Sequence, residues 1–375
     1  MSNSELPKGW RECKLGDVAK LSRSAWKVGD EKALYIGLEH IEEDKLRLNG
    51  VGKSDDVSSN KFRFRAGDTL FGKLRPYFRK VIKPDFDGIC STDIWVINPQ
   101  NNIDKNYLFY FFANKELVDV SYSSSSGTRM PRADWKYLSQ TIWDIPPLAE
   151  QKAIAEVLSS LDDKIDLLHQ QNQTLEDMAQ TLFREWFIEK ADEGWEDGSL
   201  GEVVDIFDSK RVPLSKMKRD KMKDGKLYPY YGAAKIMDYV NDYIFDGEYI
   251  LMGEDGTVKT DDGYPILQYA TGKFWVNNHT HVLKAKDPFS NYFIWNYLLN
   301  KNIEKIVTGA VQPKINQTNL KALDFPRYPL ELVREFNCQS QYLLEKIQQN
   351  KKQIKTLEQT RDTLLPKLMS GQVRV

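Results

Sequence analysis

The sequence predicts an α+β protein in which one globular domain, followed by one long helix, occurs twice. Three observations lead to this prediction. The helical stretch 148–187 aligns without a gap with a stretch that begins at Leu330, at an offset of 182 residues. The residues that flank the two stretches repeat as well, and each half contains short apolar runs between turn residues. Internal similarity at a fixed offset indicates that a structural unit has been duplicated.

Length and composition fit a globular protein of two domains. The chain has 375 residues, is 41% hydrophobic and 29% charged, and carries a formal net charge of -1. It lacks a run of about 18 apolar residues, and its polar N-terminus does not resemble a signal peptide. We therefore expect a cytoplasmic protein that does not associate with a membrane. The cysteines Cys13, Cys90 and Cys338 are far apart, which argues against a disulfide framework and a zinc site.

The repeat divides the chain into four segments. We predict globular domains over residues 1–147 and 191–328, followed by long helices over 148–190 and 329–375. A Gly-Trp pair opens both domains, and a Pro-Leu pair precedes both helices. Between these shared ends the two domains diverge, so the fold is duplicated while the surface is not.

Short β-branched and aromatic runs, bounded by Gly, Asp and Pro, predict strands in both domains. In the first domain these runs span 33–41, 68–74 and 93–99, and a buried helix follows over 106–118. In the second domain they span 229–234, 248–253, 273–276 and 280–285, and a helix follows over 291–303. The order of elements is the same, so we predict a twisted, largely antiparallel sheet in each domain.

Each long helix carries an apolar seam in which steps of four and three residues alternate, as in helices that pack lengthwise. The seam of the first helix comprises Leu161, Ile165, Leu168, Asn172, Leu175, Ala179 and Leu182. The seam of the second comprises Leu343, Ile347, Asn350, Ile354, Leu357, Arg361 and Leu364. We predict a pseudo-twofold arrangement in which two antiparallel coiled-coil helices, each about 60 Å long, separate the domains. The second helix is predicted to stop or kink at Pro366 and to end by Gly371.

Two asparagines interrupt the seams. The offset aligns Asn172 with Ile354 and Asn350 with Leu168, so each helix is polar at a position where the other is apolar. A buried asparagine can fix the register of a coiled coil, and we assign this role to the two residues.

Patterns that could belong to an enzyme are incomplete. The stretch Gly67–Leu74 fits the phosphate loop GxxxxGK[ST] except at its last position, and its middle resembles a strand. His279 and His281 would lie on the same face of a strand. They are better explained as hydrogen-bonding residues than as metal ligands, because no cysteine or carboxylate pattern accompanies them. No GxSxG motif supports a serine nucleophile.

Basic residues concentrate in one cluster in each half of the chain. The first cluster contains Lys61, Arg63, Arg65, Lys73, Arg75, Arg79, Lys80 and Lys83, with Arg129 and Arg132 in a later polar loop. The second contains Lys210, Arg211, Lys216, Lys218, Arg219, Lys221, Lys223 and Lys226, with Lys314 in the loop 309–316. Such clusters neutralise phosphates and can reach base edges. One cluster alone would suit a solvated surface, but one in each half of a duplicated protein favours DNA binding.

Several motifs are similar to those of the specificity subunits of type I restriction-modification enzymes. They are the opening GWRECKLGDVAKL, YIGLEHI, the GTRMPR loop, IPPLAEQKAIAEVLSSLDDKIDLL with the following TLFREWF, and, in the second half, PYYGAA, DYIFDGEYILMGEDG and a final LLPKLMSG. The resemblance extends over nearly the whole chain. Its helical motif, which begins with PPLAEQ, is specific, whereas the strand motifs are individually weaker.

The resemblance implies a non-catalytic protein that binds double-stranded DNA through two target-recognition domains. Each domain would read one half of a bipartite, asymmetric sequence. The paired helices would set the spacing between the halves and dock two methyltransferase subunits, which restriction or translocase subunits then join. S-adenosylmethionine, ATP and Mg²⁺ would be used by those partners, and this chain would bind no cofactor.

Two features of the sequence bear on this resemblance. An adenine methyltransferase would show an Asn/Asp-Pro-Pro-aromatic motif, and this chain lacks one. The second helix also lacks a counterpart of the Glu150-Gln151 pair, which bears on whether the two methyltransferases dock equally.

Two alternatives remain open. The chain could serve a methylation-only or otherwise different restriction complex, which the presence of adjacent methyltransferase and restriction genes would decide. It could instead be a nuclease or nucleotide hydrolase that uses the loop 67–74, which cleavage or ATP turnover by the purified chain would show.

Overall fold

The computed structural model describes residues 6–125, 130–191, 194–309 and 311–375. The chain divides into two compact units, which we name by their order in the sequence. The first unit is Met1–His169 with Lys351–Val375, and the second unit is Gln170–Asn350. Each unit thus combines one globular domain with part of each long helix. The predicted α+β class and the duplicated two-domain arrangement are confirmed.

The first unit contains short strands and mostly short helices. Its strands are β1 (Arg11–Lys14), β2 (Ala19–Ser22), β3 (Ala25–Trp26), β4 (Leu34–Ile36), β5 (Gly52–Lys53), β6 (Lys61–Phe64), β7 (Thr69–Gly72), β8 (Val81–Ile82), β9 (Gly88–Cys90), β10 (Ile94–Pro99) and β11 (Ile142–Ile145). Its helices are α1 (Leu15–Val18), α2 (Lys105–Ala113), α3 (Lys115–Ser123), α4 (Trp135–Leu138) and the first part of α5 (Leu148–Arg184).

The strands of the first unit form small sheets around an aromatic core. One sheet has the order β2-β10-β7-β8 and is antiparallel throughout. Another has the order β3-β6-β9-β4-β5, in which β4 and β9 run parallel, and β1 pairs with β11. Every residue of α2 from Tyr107 to Ala113 is buried, and the ring of Phe112 packs edge-on against Phe71 of β7. The α2 helix is therefore apolar on all sides because it lies inside the core.

Two predicted elements of the first domain are shorter than expected. The helix expected over 106–118 is two helices, because Asn114 is extended, with φ of -65° and ψ of 131°. Asparagine competes for backbone hydrogen bonds and therefore favours helix ends. The strand expected over 33–41 is β4 followed by a 3-10 turn, Leu38–His40.

The second unit is built on one larger sheet. Its strands are β12 (Val204–Ile206), β13 (Tyr228–Tyr231), β14 (Ile236–Val240), β15 (Phe245–Gly253), β16 (Leu267–Val276) and β17 (Thr280–Ala285). Its short helices are α6 (Leu200–Val203), α7 (Lys216–Asp220), α8 (Asn291–Leu299) and α9 (Gln317–Lys321), and α10 (Leu330–Met369) begins in this unit. The sheet order is β12-β17-β15-β16-β13-β14, and its β13–β16 pairing is parallel. Aromatic rings of α5, α8 and α10 form the core behind the sheet.

The first long helix begins at Leu148, as the sequence predicts, and the second begins at Leu330, one residue after the predicted start. The first continues past Arg184 into a π-helical turn, Glu185–Glu189. The helix does not stop at Pro366, which was one of the two outcomes predicted there, because α10 continues to Met369; its end before Gly371 is as predicted. Proline removes one helical hydrogen bond. Leu365, Leu368 and Met369 are nevertheless buried in the core of the first unit, and this packing stabilises the final turn.

The two long helices run antiparallel within each unit. In the first unit, Arg361 donates to Asp162 at 2.7 Å, and an apolar cluster combines Ile165 and Leu168 with Ile354 and Leu357. Residue numbers therefore fall along α10 as they rise along α5. All the predicted seam residues of both helices are buried or half-buried.

In the second unit the same direction is fixed by two contacts. Asn350 donates its side-chain amide to the amide oxygen of Asn172 at 3.0 Å, and both residues are buried. Farther along α5, the ring of Phe183 lies 5.6 Å from that of Phe336.

Within the described chain, no helix combines the length and apolarity that a membrane span requires.

Candidate nucleic-acid interface

The first basic cluster surrounds a 3-10 turn, Pro76–Phe78, that follows β7. Arg75 and Arg79 flank this turn, and both have left-handed backbone conformations, with φ of 51° and 47°. Such conformations cost roughly 1 kcal/mol or more for residues other than glycine, and they concentrate at functional sites. The N–H of Arg75 donates to the carbonyl of Pro131 at 2.7 Å, and Tyr77 at the top of the turn is 46% exposed. The turn therefore presents an aromatic ring between two arginines.

The two arginines of this turn have different environments. Arg75 is half-buried, whereas Arg79 is only 7% exposed. The Arg79 guanidinium donates to the carbonyl of Ala113 at 2.6 Å, to Asp44 at 2.8 Å and to Asp362 at 3.2 Å. The neighbouring Lys80 donates to a backbone carbonyl at 2.7 Å. Arg79 and Lys80 thus hold the turn against the rest of the unit.

Arg63 is also engaged within the protein. Its guanidinium pairs with Asp30 at 2.7 Å and with Glu31, and the hydrogen bond from Arg63 lowers the pKa of Glu31. Arg63 and Arg65 line a cavity of about 710 Å³ beside β6. Arg65 itself is exposed.

The remaining candidates of the first unit lie near the polar loop. Lys73 is half-buried, and its backbone carbonyl accepts a hydrogen bond from the N–H of Ala133 at 2.9 Å. Arg132 is exposed and pairs with Asp93 at 3.0 Å. Arg129, which the sequence also assigns to the interface, lies outside the described residues.

In the second unit, some predicted candidates are anchored in the same way. Arg219 donates to Asp238 at 2.9 Å and stacks over the ring of Tyr230 at 5.1 Å. Burial acts to raise the pKa of Asp238, but hydrogen bonds from Lys223 and Arg219 outweigh it and hold the pKa below its usual value. Arg211 is half-buried and donates to Glu254 at 2.5 Å.

Other candidates of the second unit face solvent. Lys210, Lys216 and Lys218 are exposed on the short 3-10 turn Asp208–Lys210 and on α7. Lys314 is 52% exposed and lies 3.6 Å from Glu254. Each unit therefore combines exposed cations with less exposed arginines that are paired inside the protein.

The phosphate-loop match is a strand. Residues Thr69–Gly72 form β7, all four are buried, and they pair with β10. Their amides therefore belong to a sheet rather than to an open loop that could surround a phosphate.

The two histidines do not share a strand face. His279 precedes β17 and is exposed beside Asp255, whereas His281 within β17 is fully buried. The prediction that both lie on one face is therefore wrong, because the strand begins between them. His281 is hydrogen-bonded on both ring nitrogens, as a structural histidine would be.

Sequence reasoning missed that His281 meets Asp208 and Glu254, whose ligand atoms all lie within 4.8 Å of one another. Asp208 and His281 are 73 residues apart, and no local motif connects them. A metal could use such groups, but Arg211 already donates to Glu254 and lies 3.6 Å from Asp208. In the described part of the chain this group is an ion-pair network.

Comparisons with known proteins cover both halves of the chain. A family model described as the type I restriction modification DNA specificity domain matches residues 7–177 and, a second time, residues 192–359. The MjaVIII specificity subunit of a type I restriction enzyme, from Methanocaldococcus jannaschii, is 26% identical over 424 residues, covering 100% of this chain and 95% of the relative. The MjaIX specificity subunit of the same organism is 28% identical, covering 74% of this chain and 71% of the relative.

A similar subunit from Haemophilus influenzae matches one part of the chain. It is 36% identical over 153 residues, so this chain spans only 38% of that relative's length. Among solved structures, the S subunit of a type I restriction-modification system from M. genitalium has a TM-score of 0.56 at 18% identity. That match covers 98% of this chain and 97% of the other and shows that the fold is shared.

Proposed function

This chain belongs to the family of type I restriction modification DNA specificity domains, and we propose that each of its units reads one half of a bipartite, asymmetric DNA site. The observation that carries the proposal is that the family match occurs twice, once in each half of the chain. Because one family model matches both halves although their sequences diverge, the two domains are suited to reading two different half-sites. The chain is accordingly a DNA sequence-specificity subunit.

The exposed cations are the residues we assign to DNA. They are Arg65, Arg132, Lys210, Lys216, Lys218 and Lys314, with Lys73 and Arg75 as half-buried members. Contacts to phosphates would supply affinity, while base edges near the same loops would supply specificity. The other candidates would support these residues, since they are buried or half-buried and are bound within the protein. They are Arg63, Arg79, Lys80, Arg211 and Arg219.

The long helices are assigned to spacing and assembly. Their antiparallel pairing within each unit supports a role in fixing the distance between the two half-sites, and their outer faces would dock two methyltransferase subunits. The relatives are named as subunits of type I restriction enzymes. We assign methylation with S-adenosylmethionine, and ATP- and Mg²⁺-dependent restriction, to such partners in the cytoplasm, and no catalytic step to this chain.

The DNA assignment is tested in the second unit with the complex of this chain and its methyltransferase subunits. We expect the double variant Lys216→Ala and Lys218→Ala to bind the cognate duplex more weakly. The slope of log affinity against log salt should also become shallower by roughly 2, since each lost phosphate contact contributes about 0.9. The control is Lys20→Ala with Lys136→Ala, two exposed lysines outside both clusters. Equal affinity and salt dependence in the two double variants would refute the assignment.

A further inference from the structure

A polar network with a buried centre lies beside the loop 308–317 of the second unit, which the structure describes over residues 308–309 and 311–317. Its carboxylates belong to Asp208 and Glu254, and the side chains that pair with them to Arg211, His281 and Lys314. Asp208 is 6% exposed and His281 is not exposed at all. Moving charges out of water is costly unless each one is paired and hydrogen-bonded, so a network of this kind is expected to have a specific role.

The hydrogen bonds of His281 define how the network is charged. Its Nδ1 lies 2.6 Å from a carboxylate oxygen of Asp208, and its Nε2 lies 2.8 Å from the carbonyl oxygen of Ile315. Both partners are acceptors, so the geometry is satisfied by an imidazolium that donates from each nitrogen. The same Asp208 oxygen accepts from the side chain of Gln317 at 2.7 Å, and the second accepts from the N–H of Val282 at 3.0 Å.

Burial alone would raise the pKa of Asp208. The hydrogen bond and charge of His281, the N–H of Val282 and the charge of Arg211 outweigh this effect, and the pKa is held below its usual value. Asp208 is thus an anion that accepts hydrogen bonds from three directions.

The network anchors the loop 308–317 through its backbone. The N–H of Ile315 donates to the carbonyl of Glu254 at 2.8 Å, so both backbone groups of Ile315 are bound to network residues. Lys314 and Thr308 exchange two backbone hydrogen bonds of 2.7 and 2.8 Å, which close the base of the loop. Beyond this base, Val311 is 99% exposed. The base of the loop is therefore held by hydrogen bonds, whereas Val311 beyond it is exposed to solvent.

We infer that Asp208, Arg211, Glu254 and His281 are positioning residues that hold the loop 308–317 in the conformation in which the second unit reads its half-site. The inference rests on the proposed function, because it takes this loop to contact DNA. These four residues are buried or half-buried and act through the loop. A loop fixed at its base presents Lys314 and the tip with little loss of conformational entropy on binding.

The test uses the complex of this chain with its methyltransferase subunits and three DNA duplexes. One duplex carries the bipartite site found by mapping methylation, and the other two carry one base-pair substitution in one or the other half. With the unaltered chain, each substitution is expected to weaken binding by about tenfold or more. In His281→Gln, the loss of affinity that a base-pair substitution causes should shrink to about threefold or less in one half of the DNA site. The loss caused by the substitution in the other half should stay unchanged.

The control separates loop positioning from loss of stability. Leu298→Ala removes a buried side chain of α8 and should lower the amount of folded complex while leaving discrimination intact in both halves. The inference would be overturned if His281→Gln still distinguished the cognate duplex from both substituted duplexes. It would also be overturned if this variant lost that discrimination equally in both halves.

A second variant tests the same inference if His281→Gln does not fold. Gln317 is exposed, so Gln317→Ala removes one hydrogen bond to Asp208 without opening the core. It should lower discrimination in the same half, and unchanged discrimination would overturn the inference. Failure of the proposed function has a different signature, since the unaltered complex would then discriminate in neither half.

Discussion

Arg75 and Arg79 flank one turn of the first unit and have the same side chain, but only Arg79 is buried. Arg79 is buried because it meets Asp362, 283 residues away in the chain. A charge pattern reveals where cations concentrate, but not which of them are already paired.

The first prediction concerns the stability of the first unit. Arg79→Ala should lower the free energy of unfolding by about 2 kcal/mol. This is less than the roughly 3–5 kcal/mol of a fully buried pair, because Asp44 and Asp362 are partly exposed. Urea unfolding of the purified chain measures the change.

The matched control for this prediction is Arg65→Ala in the same cluster. Because Arg65 is exposed, its replacement should change the stability by no more than about 0.5 kcal/mol. Equal stability of the two variants would mean that the ion pairs of Arg79 contribute nothing.

The second prediction concerns pH and the start of α5. Glu150 accepts hydrogen bonds from Arg374 at 2.7 Å and from Trp10 at 3.1 Å, and the bond from Arg374 has the largest effect in lowering its pKa. A lowered pKa stabilises the fold above the ordinary value of 4.5, and this contribution is lost as the pH falls through the lowered value. Arg374→Ala should therefore reduce the urea midpoint at pH 7.

The difference between Arg374→Ala and the unaltered chain should close as the pH falls below 4.5, since protonated Glu150 no longer interacts with a charge. A difference that persists unchanged in acid would show that Arg374 acts by packing rather than through the charge of Glu150.

At the scale of the element, heptad spacing was sufficient to identify the two long helices and their seam. It did not reveal that Asn172 and Asn350 meet. The offset compares equivalent positions, whereas contact depends on the antiparallel pairing, in which Asn172 lies opposite Asn350. The equivalent positions on the other helix, Ile354 and Leu168, share an apolar cluster in the first unit. The two equivalent layers of the helix pair thus differ, because the layer in the second unit is polar and the layer in the first unit is apolar.

The third prediction is that the two asparagines are energetically coupled. Asn172→Leu alone should lower stability by about 1–3 kcal/mol, because the amide of Asn350 is left buried without its partner. Asn172→Leu with Asn350→Leu should restore at least the original stability, since the pair then resembles the apolar layer. Urea unfolding of the single and double variants forms a double-mutant cycle.

A double variant whose loss equals the sum of the two single losses would contradict this coupling. If the asparagines fix the register, methyltransferase complexes that contain the double variant should also methylate sites with more than one spacer length, because an apolar seam tolerates a shift of one heptad.

At the scale of the whole molecule, the duplication could be predicted from the sequence because it preserves residue patterns. Long-range polar contacts leave no such pattern, so they could not be predicted. The Glu150-Gln151 pair was notable in the sequence as a motif without a copy in the second helix. In the structure Gln151 donates to the carbonyl of Pro146 at 2.9 Å and accepts from the N–H of Asp104 at 2.8 Å. The pair thus anchors α5 in its own unit.

The second unit anchors the start of its long helix, α10, with apolar residues instead. The equivalents of Glu150 and Gln151 are Leu332 and Val333, and Val333 is fully buried in the core of that unit. The sequence difference between the two helix starts therefore corresponds to two ways of anchoring a helix in its own unit.

Whether each domain reads one half of a bipartite site is tested by base-resolution mapping of adenine methylation in cells that contain the partner subunits. Two forms of the chain are compared, the unaltered form and one whose first domain, residues 1–147, is exchanged for that of a relative. We predict a bipartite motif for the unaltered chain, and a change in only one half of that motif, with the spacing kept, for the exchanged form. An unaltered motif, or a change in both halves, would contradict this prediction.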